Sequence, residues 1–347
     1  MSVLDVLLPT PLRGSGGLRT VIVNAAALTA SGHTVRLHVQ SQRRTRNGAG
    51  RMRAWFPVGR CQVQQGWPQS LPDSDAVMAT TWFSAPHAAG VPTSGRRLYF
   101  VQDYEPSFHP AGDLAVAAAG TYLLGLQTLV IGSWLQHKLL QDHGVDAASV
   151  PFTADLRTYR PGPGERKPRV VAIYQPDKPR RCPDLVRRTL ARVLGSGLEV
   201  VTVGGTKDPR LGEGHRHLGI VDTGTLADLY RSSAAGLCIS ASNPSRVPFE
   251  MMACGLPVVE AHLPNTVFDF PEGACLLARP DPESLARALV RAAGEPWRGE
   301  LGVSYMRDRD ASQEQLRFAR FVAEAVSGAP THSAHEPAIY RQSPEGS

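Results

Sequence analysis

Apolar runs of strand length alternate with helically spaced segments through the first half of the chain. Leu18, Val21 and Leu28 have the spacing of one apolar helix face, and further helices are predicted near residues 113–125 and 134–143. The strand-like runs are residues 3–8, 34–39, 76–81, 98–102 and 129–133. Alternation of strands and helices predicts a parallel, doubly wound sheet.

The second half repeats this alternation after a break at residues 153–168, where proline, glycine and charge predict a linker. The predicted strands are residues 170–174, 198–204, 236–241 and 258–261. The predicted helices begin at Pro183 and lie at residues 225–232, 249–254, around 285–292, and at 304–326. The last of these is long and amphipathic, with its apolar positions including Leu316, Phe318, Phe321 and Val322.

The two alternations predict an α/β protein with two Rossmann-like domains that face each other across a cleft. The predicted segments are a first domain (residues 1–152), the linker (153–168), a second domain (169–303), a helix crossing back to the first domain (304–326) and a disordered, Pro/Ser/His-rich tail (327–347). Two such domains can hold a ligand near the carboxyl ends of their strands. Because transferases, epimerases and binding proteins share this organisation, the fold alone decides no function.

Composition narrows the picture only slightly. With 42% hydrophobic and 20% charged residues, the 347-residue chain can bury a sizeable core. A formal charge of +6 favours acidic partners without choosing among them. The 5 cysteines are widely spaced and form no Cys-x-x-Cys pair, so we expect reduced thiols, with neither a disulfide framework nor a zinc site.

The expected location is the cytoplasm. No apolar stretch approaches the roughly 20 residues that a membrane-spanning helix needs. The first apolar run contains Asp5 and lacks a basic region before it, so it is interpreted as a strand and not as a signal peptide. Peripheral contact with the inner face of the membrane stays open.

A glycine-rich turn follows the first predicted strand. Arg13-Gly14-Ser15-Gly16-Gly17 opens directly into a helix, and a helix N-terminus offers N–H groups and partial positive charge to a phosphate. The alternative is a tight turn with no ligand. A nicotinamide-dinucleotide site is disfavoured, because the third glycine is misplaced and no acidic residue follows the second strand.

The segment from Ser240 to Val259 carries the most chemistry. A strand ends, a polar turn follows, and Glu250 lies near the start of an otherwise apolar helix. The two oxygens of a carboxylate can accept hydrogen bonds from two adjacent sugar hydroxyls. The alternative is a glutamate that satisfies N–H groups at the helix start.

These motifs resemble glycosyltransferase family 4. The matching segments are Phe249-Glu-Met-Met-Ala-Cys-Gly-Leu-Pro-Val-Val259, and Gly16-Gly17-Leu18 followed by Gly32-His33-Thr34-Val35. Asn243-Pro-Ser-x-x-Pro-Phe-Glu250 and Tyr99-Phe-Val-Gln-Asp-Tyr-Glu-Pro-Ser-Phe108 are similar to a narrower branch, the bacterial rhamnosyltransferases that build surface glycans. The resemblance covers roughly residues 1–325.

The resemblance implies a GT-B fold, a nucleoside-diphosphate sugar donor, no required metal and retention of anomeric configuration. Glu250 matches the second glutamate of the family's E-x7-E motif, which holds the donor ribose. The first position is Ser242, so contacts to the sugar pass to Asn243 or Ser245. The nucleobase is expected near Gly219.

The resemblance also assigns the diphosphate and the acceptor side. Lys178, Arg180 and Arg181 match the family's diphosphate-binding cations, with the Gly16-Gly17 turn opposite them; the alternative is a solvated basic loop. Gln102 stands where many members have histidine, and this loss of a sugar contact favours a 6-deoxy sugar such as L-rhamnose, linked to dTDP. Asp103 or Glu105 is expected to accept or orient the acceptor proton.

Other signals are interpreted as structural. Asp73-Ser-Asp75 is similar to a metal-binding Asp-x-Asp motif but is expected in a turn, and Asp308-Arg-Asp310 on a solvated helix face. His33 is interpreted as structural. His87 and His109 could approach the acceptor, but a lone histidine is usually a surface or core residue. A basic loop contains Arg43, Arg44, Arg46, Arg51 and Arg53; it either meets anionic lipid or a pyrophosphate-linked acceptor, or is merely solvated. Since no nucleic-acid module accompanies it, nucleic acid is not an expected partner.

The sequence therefore predicts a retaining glycosyltransferase that moves a sugar to a hydroxyl of a glycan, a lipid-linked glycan or a natural product. No covalent nucleophile is evident, which favours front-side displacement assisted by the leaving phosphate. Two rivals stay open: a GT-B-like sugar-nucleotide epimerase and a non-catalytic carbohydrate-binding protein.

Overall fold

The computed structural model describes residues 1–40 and 47–328. By their packing the described residues divide into two compact units, one containing residues 1–40, 47–150 and 314–328, the other Pro151–Gln313. Residues 153–168, predicted as a linker, belong to the second unit, where Ala154 and Tyr159 are buried. The predicted tail, from residue 329 on, lies outside the described residues.

The described part of the first unit contains one parallel sheet of seven strands in the order β3-β2-β1-β4-β5-β6-β7. The strands are β1 (Val3–Leu8), β2 (Thr34–Val39), β3 (Gln62–Gln65), β4 (Ala76–Ala79), β5 (Arg96–Val101), β6 (Gln127–Ile131) and β7 (Ala148–Val150). The helices are α1 (Gly16–Ala30), α2 (Gly48–Trp55), α3 (Ala85–Gly90), α4 (Asp113–Gly120) and α5 (Ser133–His143). The order doubles back at β1 and β4, where a doubly wound sheet opens a crevice for ligands.

The described part of the second unit contains a parallel sheet of six strands in the order β10-β9-β8-β11-β12-β13. The strands are β8 (Lys167–Ile173), β9 (Glu199–Val203), β10 (His215–His217), β11 (Ser233–Leu237), β12 (Val258–Ala261) and β13 (Cys275–Ala278). The helices of this unit are α6 (Pro183–Val193), α7 (Thr223–Ser232), α8 (Val247–Ala253), α9 (Pro282–Ala293) and α10 (Trp297–Met306). Helix α11 (Ala311–Ser327) begins in the second unit and belongs to the first unit from Glu314 onward. The order reverses at β8 and β11, so this sheet also has a switch point.

Each sheet is covered on its faces by helices and holds its core between the layers. In the first unit β1 is buried from Leu4 to Leu8, and in the second the apolar faces of α6 and α9 pack on β8, β11 and β12. Strands buried on both faces have nearly continuous apolar sequences, which is why their positions could be predicted. The predicted class of two Rossmann-like parallel-sheet domains is confirmed.

The predicted long helix over residues 304–326 is wrong in its continuity. The chain forms α10 and α11 with a break at residues 307–310. Asp310, expected on a solvated helix face, lies in this break, where its carboxylate accepts hydrogen bonds from the N–H of Leu156 at 3.1 Å and of Ser312 at 3.0 Å. Phe318 is buried as predicted, but Leu316 is 63% exposed.

The predicted basic loop is also corrected. Arg51 and Arg53 belong to helix α2, where the Arg51 guanidinium lies over the Trp55 ring at 5.8 Å and Arg53 donates to the carbonyl of Val63 at 2.5 Å. Arg43, Arg44 and Arg46 lie outside the described residues. Within residues 1–40 and 47–328, no helix has the length and apolar character to cross a bilayer.

Candidate functional site

The glycine-rich turn of the first unit presents a helix start at the carboxyl edge of its sheet. Ser15 is the N-cap of α1, and its hydroxyl accepts from the N–H of Leu18 at 3.4 Å. Gly16 and Gly17 are the first two helical residues, whose N–H groups have no acceptor within the helix. A Cβ on Gly17 would lie 3.6 Å from the Gln102 side-chain oxygen, so the turn and Gln102 lie together.

Asp103 follows directly after Gln102, where β5 has ended. It is half-buried, and one carboxylate oxygen accepts from the N–H of Tyr104 at 2.9 Å. Tyr99 and Phe100, both on β5, are buried and belong to the core. Asp103 thus occupies the edge where a doubly wound sheet binds ligands.

The Glu105 carboxylate accepts hydrogen bonds from neighbouring residues of the same unit. One oxygen accepts hydrogen bonds from the N–H of Trp82 and from the Tyr99 hydroxyl, the latter at 3.2 Å. The N–H of Glu105 donates to the Tyr122 hydroxyl at 3.1 Å. Burial, followed by the Glu105 charge, raises the pKa of Tyr99 well above its usual range, which keeps this phenol a donor. These contacts tie the ends of β4 and β5 together, and a role of Asp103 or Glu105 as the base stays a prediction.

Three cations cluster after the first strand of the second unit. A single turn of 3-10 helix, Pro179–Arg181, follows the half-buried Lys178. The Arg181 guanidinium donates to the Ser240 hydroxyl, and the N–H of Ala241 donates to the Arg180 carbonyl at 2.8 Å. Burial, and then the charges of Arg180 and Arg181, lower the pKa of Lys178 to about 8. A merely solvated loop would leave that pKa unshifted, so this cluster is built against β11 and the segment after it.

The segment after β11 is fixed by a buried amide. Asn265 donates from its side chain to the Ser240 carbonyl at 2.7 Å and to the Ser242 carbonyl. Ser242 and Asn243 are buried, and Ser245 is half-buried, beside helix α8. These hydrogen bonds hold the segment that contains the predicted sugar-contacting residues, and Arg181 contacts its first residue, Ser240.

Helix α8 carries Glu250 and is held by an aromatic stack. Phe249 lies between Phe152 and Phe270, with ring centroids 4.6 and 5.1 Å away. Glu250 is half-buried in the first turn of the helix. The buried Phe249 ring therefore fixes the rotation of α8 about its axis and, with it, the side of the helix on which Glu250 lies.

Several glycines lie close together in the predicted nucleobase region. The N–H of Gly204 donates to the Gly219 carbonyl at 2.8 Å. A Cβ on Gly205 would lie 2.7 Å from the Tyr174 carbonyl oxygen, so a side chain there is excluded without backbone movement. Glycine at 205 thus allows the backbone at Tyr174 to approach closely, and binding of the nucleobase near Gly219 stays a prediction.

Comparison with known proteins finds one family model and one curated relative with similar sequences. The family model described as WsaF, C-terminal domain, matches residues 168–290. The O-antigen biosynthesis protein RfbC of Myxococcus xanthus is 35% identical over 246 residues, 67% of this chain. The chain spans 19% of the length of that relative.

Solved structures share the architecture at low identity. Sucrose-phosphate synthase from Thermosynechococcus elongatus has a TM-score of 0.70 at 14% identity, over 95% of this chain and 100% of its own. Anabaena Alr3699/HepE in complex with UDP-glucose has a TM-score of 0.70 at 15% identity, over 93% of this chain and 99% of its own. WaaG, a glycosyltransferase involved in lipopolysaccharide biosynthesis, has a TM-score of 0.65 at 14% identity, over 92% and 99%.

The chain has the GT-B fold of glycosyltransferases. These structures confirm the predicted fold class, and the name of the curated relative agrees with the predicted enzyme class. Membership of family 4 and of its rhamnosyl branch stays a prediction. So does joint binding of a diphosphate by Gly16-Gly17 and the cations, which belong to different units.

The sequence analysis missed one buried acid in the GT-B second unit. Glu260 lies on β12, is fully buried, and accepts with one oxygen from the N–H of Ser240 at 3.2 Å and of Ala261 at 2.9 Å. Its other oxygen is buried with no hydrogen-bond partner among the described residues. Burial raises the pKa of Glu260 to about 8, against the opposing charge of Arg181. A lone glutamate inside the apolar run Pro257-Val-Val-Glu-Ala261 was the signal that could have found it.

Glu260 makes stability depend on pH. Its folded-state pKa lies above its usual 4.5, so the folded state holds a proton that the unfolded chain has released between pH 4.5 and about 8. Stability from this group is therefore lost as pH rises through that window. We expect Glu260→Gln to remove the loss, so that its melting temperature exceeds that of the wild type increasingly between pH 5 and pH 8. Thermal melts at three pH values test this, with the exposed Glu300→Gln as the control; parallel curves would contradict it.

The sequence signals interpreted as structural are also accounted for. Asp75 accepts from the N–H of Val3 at 2.7 Å beside a turn, and His33 contacts the Ser2 hydroxyl at 2.8 Å. His87 contacts the Pro68 carbonyl at 2.8 Å, so it has a structural partner. The His109 Nε2 atom is buried without a hydrogen-bond partner among the described residues.

Proposed function

We propose that this chain is a glycosyltransferase that moves a sugar from a nucleoside-diphosphate donor to a carbohydrate hydroxyl in the assembly of a bacterial surface glycan. One observation carries the proposal: the cations of the turn at Pro179–Arg181 lie against the Ser240 segment that leads to Glu250. The relative acts in O-antigen biosynthesis by its name, and the neighbouring folds include complexes with UDP and UDP-glucose.

In this proposal the second unit binds the donor. Lys178, Arg180 and Arg181 neutralise the charge that grows on the leaving diphosphate as the glycosidic bond breaks. Glu250 accepts hydrogen bonds from the ribose hydroxyls, and the glycines around Gly219 receive the base. Because Lys178 is half-buried among like charges, an incoming diphosphate gains more from it than from a fully solvated lysine.

The first unit binds the acceptor in this proposal. Asp103 accepts or orients the proton of the attacking hydroxyl at the carboxyl edge of β5. The leaving phosphate assists on the same face of the sugar, which retains the anomeric configuration without a covalent intermediate. Domain closure over the donor would exclude competing water.

The finer assignments rest on the motifs. We propose a 6-deoxyhexose donor, L-rhamnose linked to dTDP, because Gln102 and Ser242 replace two residues that in the resembling family contact the sugar. The acceptor is a glycan, a lipid-linked glycan or a natural product, the reaction needs no metal, and it takes place in the cytoplasm or at the inner face of the membrane. A preference for UDP over dTDP would contradict the rhamnose assignment.

Nucleotide titration of the wild type and of Glu250→Ala tests the donor site. We expect dTDP to bind, and Glu250→Ala to weaken binding by about tenfold to a hundredfold, since hydrogen bonds to a charged group contribute about 1.5–3 kcal/mol. Isothermal titration calorimetry measures both affinities. Exposed Glu300→Ala is the matched control and is expected to bind as the wild type does.

Two results would count against the proposal. One is equal nucleotide affinity in Glu250→Ala and the wild type, which would remove the ribose assignment. The other is binding without release of dTDP from dTDP-rhamnose, with every acceptor class tried, which would favour a carbohydrate-binding protein. Interconversion of the free sugar nucleotide without transfer would favour an epimerase.

A further inference from the structure

An aromatic platform lies at the carboxyl edge of the first sheet. It consists of Trp67, Trp82, Phe83 and His109. Phe83 stacks at 6.2 Å from Trp67 and packs edge-on at 5.8 Å from Trp82, and Trp82 packs edge-on at 5.6 Å from His109. Phe83 is 36% exposed, and both tryptophans are partly exposed. Aromatic rings of this size contribute most when their faces are covered, so an exposed cluster marks a binding surface.

Hydrogen bonds from the surrounding backbone hold the platform in place. The Trp67 indole donates to the carbonyl of Leu8, the last residue of β1, at 3.0 Å. The buried Ser84 hydroxyl accepts from the N–H of Thr80 at 3.0 Å and of Thr81 at 3.1 Å, which fixes the turn that carries Trp82 and Phe83. The rings are therefore presented by a rigid turn and do not need to order on binding.

The platform adjoins the acceptor side of the proposed reaction. The N–H of Trp82 donates to Glu105, two residues after Asp103. The turn that carries Trp82 and Phe83 follows β4, which pairs with β5, and Asp103 follows β5. A ligand lying on the rings thus lies at the edge that carries the candidate base.

Charge selects the class of ligand. The platform segments, residues 66–70, 81–87 and 102–109, carry Asp103 and Glu105 and no lysine or arginine. An anionic lipid headgroup or a pyrophosphate would meet like charge here. A neutral pyranose ring has an apolar C–H face for the aromatic rings and hydroxyls for polar groups such as the half-buried Asp103 carboxylate.

We propose that Trp67, Trp82, Phe83 and His109 form the acceptor subsite and stack a neutral sugar ring of a glycan. This rests on the proposed glycosyltransferase function and specifies its acceptor. It requires that the acceptor, of whichever class, contacts the enzyme through a pyranose residue next to the attacking hydroxyl.

Saturation-transfer NMR on the full chain tests the subsite. The probes are oligosaccharides released by mild acid from bacterial lipopolysaccharides, and the proteins are the wild type, Phe83→Leu, Phe83→Tyr and Trp55→Ala. We expect transfer to ring C–H protons in the wild type, and an affinity about fivefold to tenfold lower in Phe83→Leu, the loss expected for one aromatic stacking contact. Phe83→Tyr keeps the aromatic face and is expected to bind as the wild type does. Trp55→Ala removes an equally exposed aromatic of the same unit, 39% exposed, and is expected to have no effect.

Several outcomes would overturn the subsite. One is equal saccharide affinity in Phe83→Leu and the wild type. A second is the absence of saturation transfer to the saccharides in the wild type. A third is a variant Phe83→Leu that loses binding to phosphatidylglycerol vesicles and keeps its saccharide affinity. Titration of dTDP in the same samples separates this result from failure of the donor site. If nucleotide affinity is intact while saccharide binding is absent, the platform assignment alone fails.

Discussion

Replacing Arg181 by alanine is expected to lower the release of nucleoside diphosphate from the donor by about a hundredfold to a thousandfold, because removing one preorganised donor to transition-state charge typically costs that much. The Arg181 guanidinium is held in place by a hydrogen bond that it donates to the Ser240 hydroxyl. Its charge is needed most as the bond to the diphosphate breaks, so kcat should fall more than donor affinity. Steady-state release from radiolabelled dTDP-rhamnose measures both.

A second readout separates this role from a structural one. The Arg181 charge is one of the causes that lower the pKa of Lys178, so Arg181→Ala should raise that pKa above about 8. NMR titration of the labelled lysine side chain would record the change. Arg187→Ala, an exposed arginine of α6 paired with Asp184, is the matched control and is expected to change neither quantity. An unchanged kcat in Arg181→Ala would remove it from the proposed reaction.

Replacing Gly299 by alanine is expected to lower the free energy of unfolding by roughly 3 kcal/mol or more, at the upper end of what overpacking a core costs. Helix α10 packs against α8 here, and a Cβ on Gly299 would lie 1.9 Å from the Gly255 carbonyl oxygen. The obstacle is backbone, held where Gly255 adopts a φ of +71°, so a rotamer change cannot relieve it. Because α8 carries Glu250, nucleotide affinity should fall along with stability.

Gly120→Ala is the matched control for this substitution. Gly120 ends helix α4 with a φ of −59°, and a Cβ there would meet no heavy atom within 4 Å. Alanine at such a position is expected to be neutral or to stabilise by up to about 1 kcal/mol. Denaturant unfolding followed by circular dichroism compares the two variants. Similar midpoints for both would show that α10 shifts away from Gly255 at little cost.

Much of the fold could be predicted because buried parallel strands leave a clear signal. The strands predicted at residues 3–8, 34–39 and 258–261 have those bounds in the structure, since their apolar runs are buried on both faces. Four strands were missed, β3, β7, β10 and β13, and all four lie at sheet edges. β3 and β10 have polar sequences and β7 has three residues, so periodicity gives little signal there. β13 is apolar and buried, and its four residues are too few to show a period.

The motifs of the candidate site could be predicted from the sequence, but the hydrogen bonds that hold its residues in place could not. Glu250 and Arg181 could be assigned because their motifs resemble those of a known family, and their roles in donor binding stay predictions. The role of Glu105 depends on the pairing of β4 with β5, which a single sequence does not reveal. Glu260 was passed over because a strand pattern gives no weight to one acid among valines, although burial there changes its chemistry most.

In the proposed reaction, the depressed pKa of Lys178 would couple binding of the donor to uptake of a proton. Near pH 8 about half of the empty sites hold an uncharged amine, whereas a bound diphosphate favours the ammonium. Binding of the donor would then draw a proton from solvent, and departure of the spent nucleotide would return it. Product release, often the slowest step of such enzymes, would become easier as the medium turns alkaline.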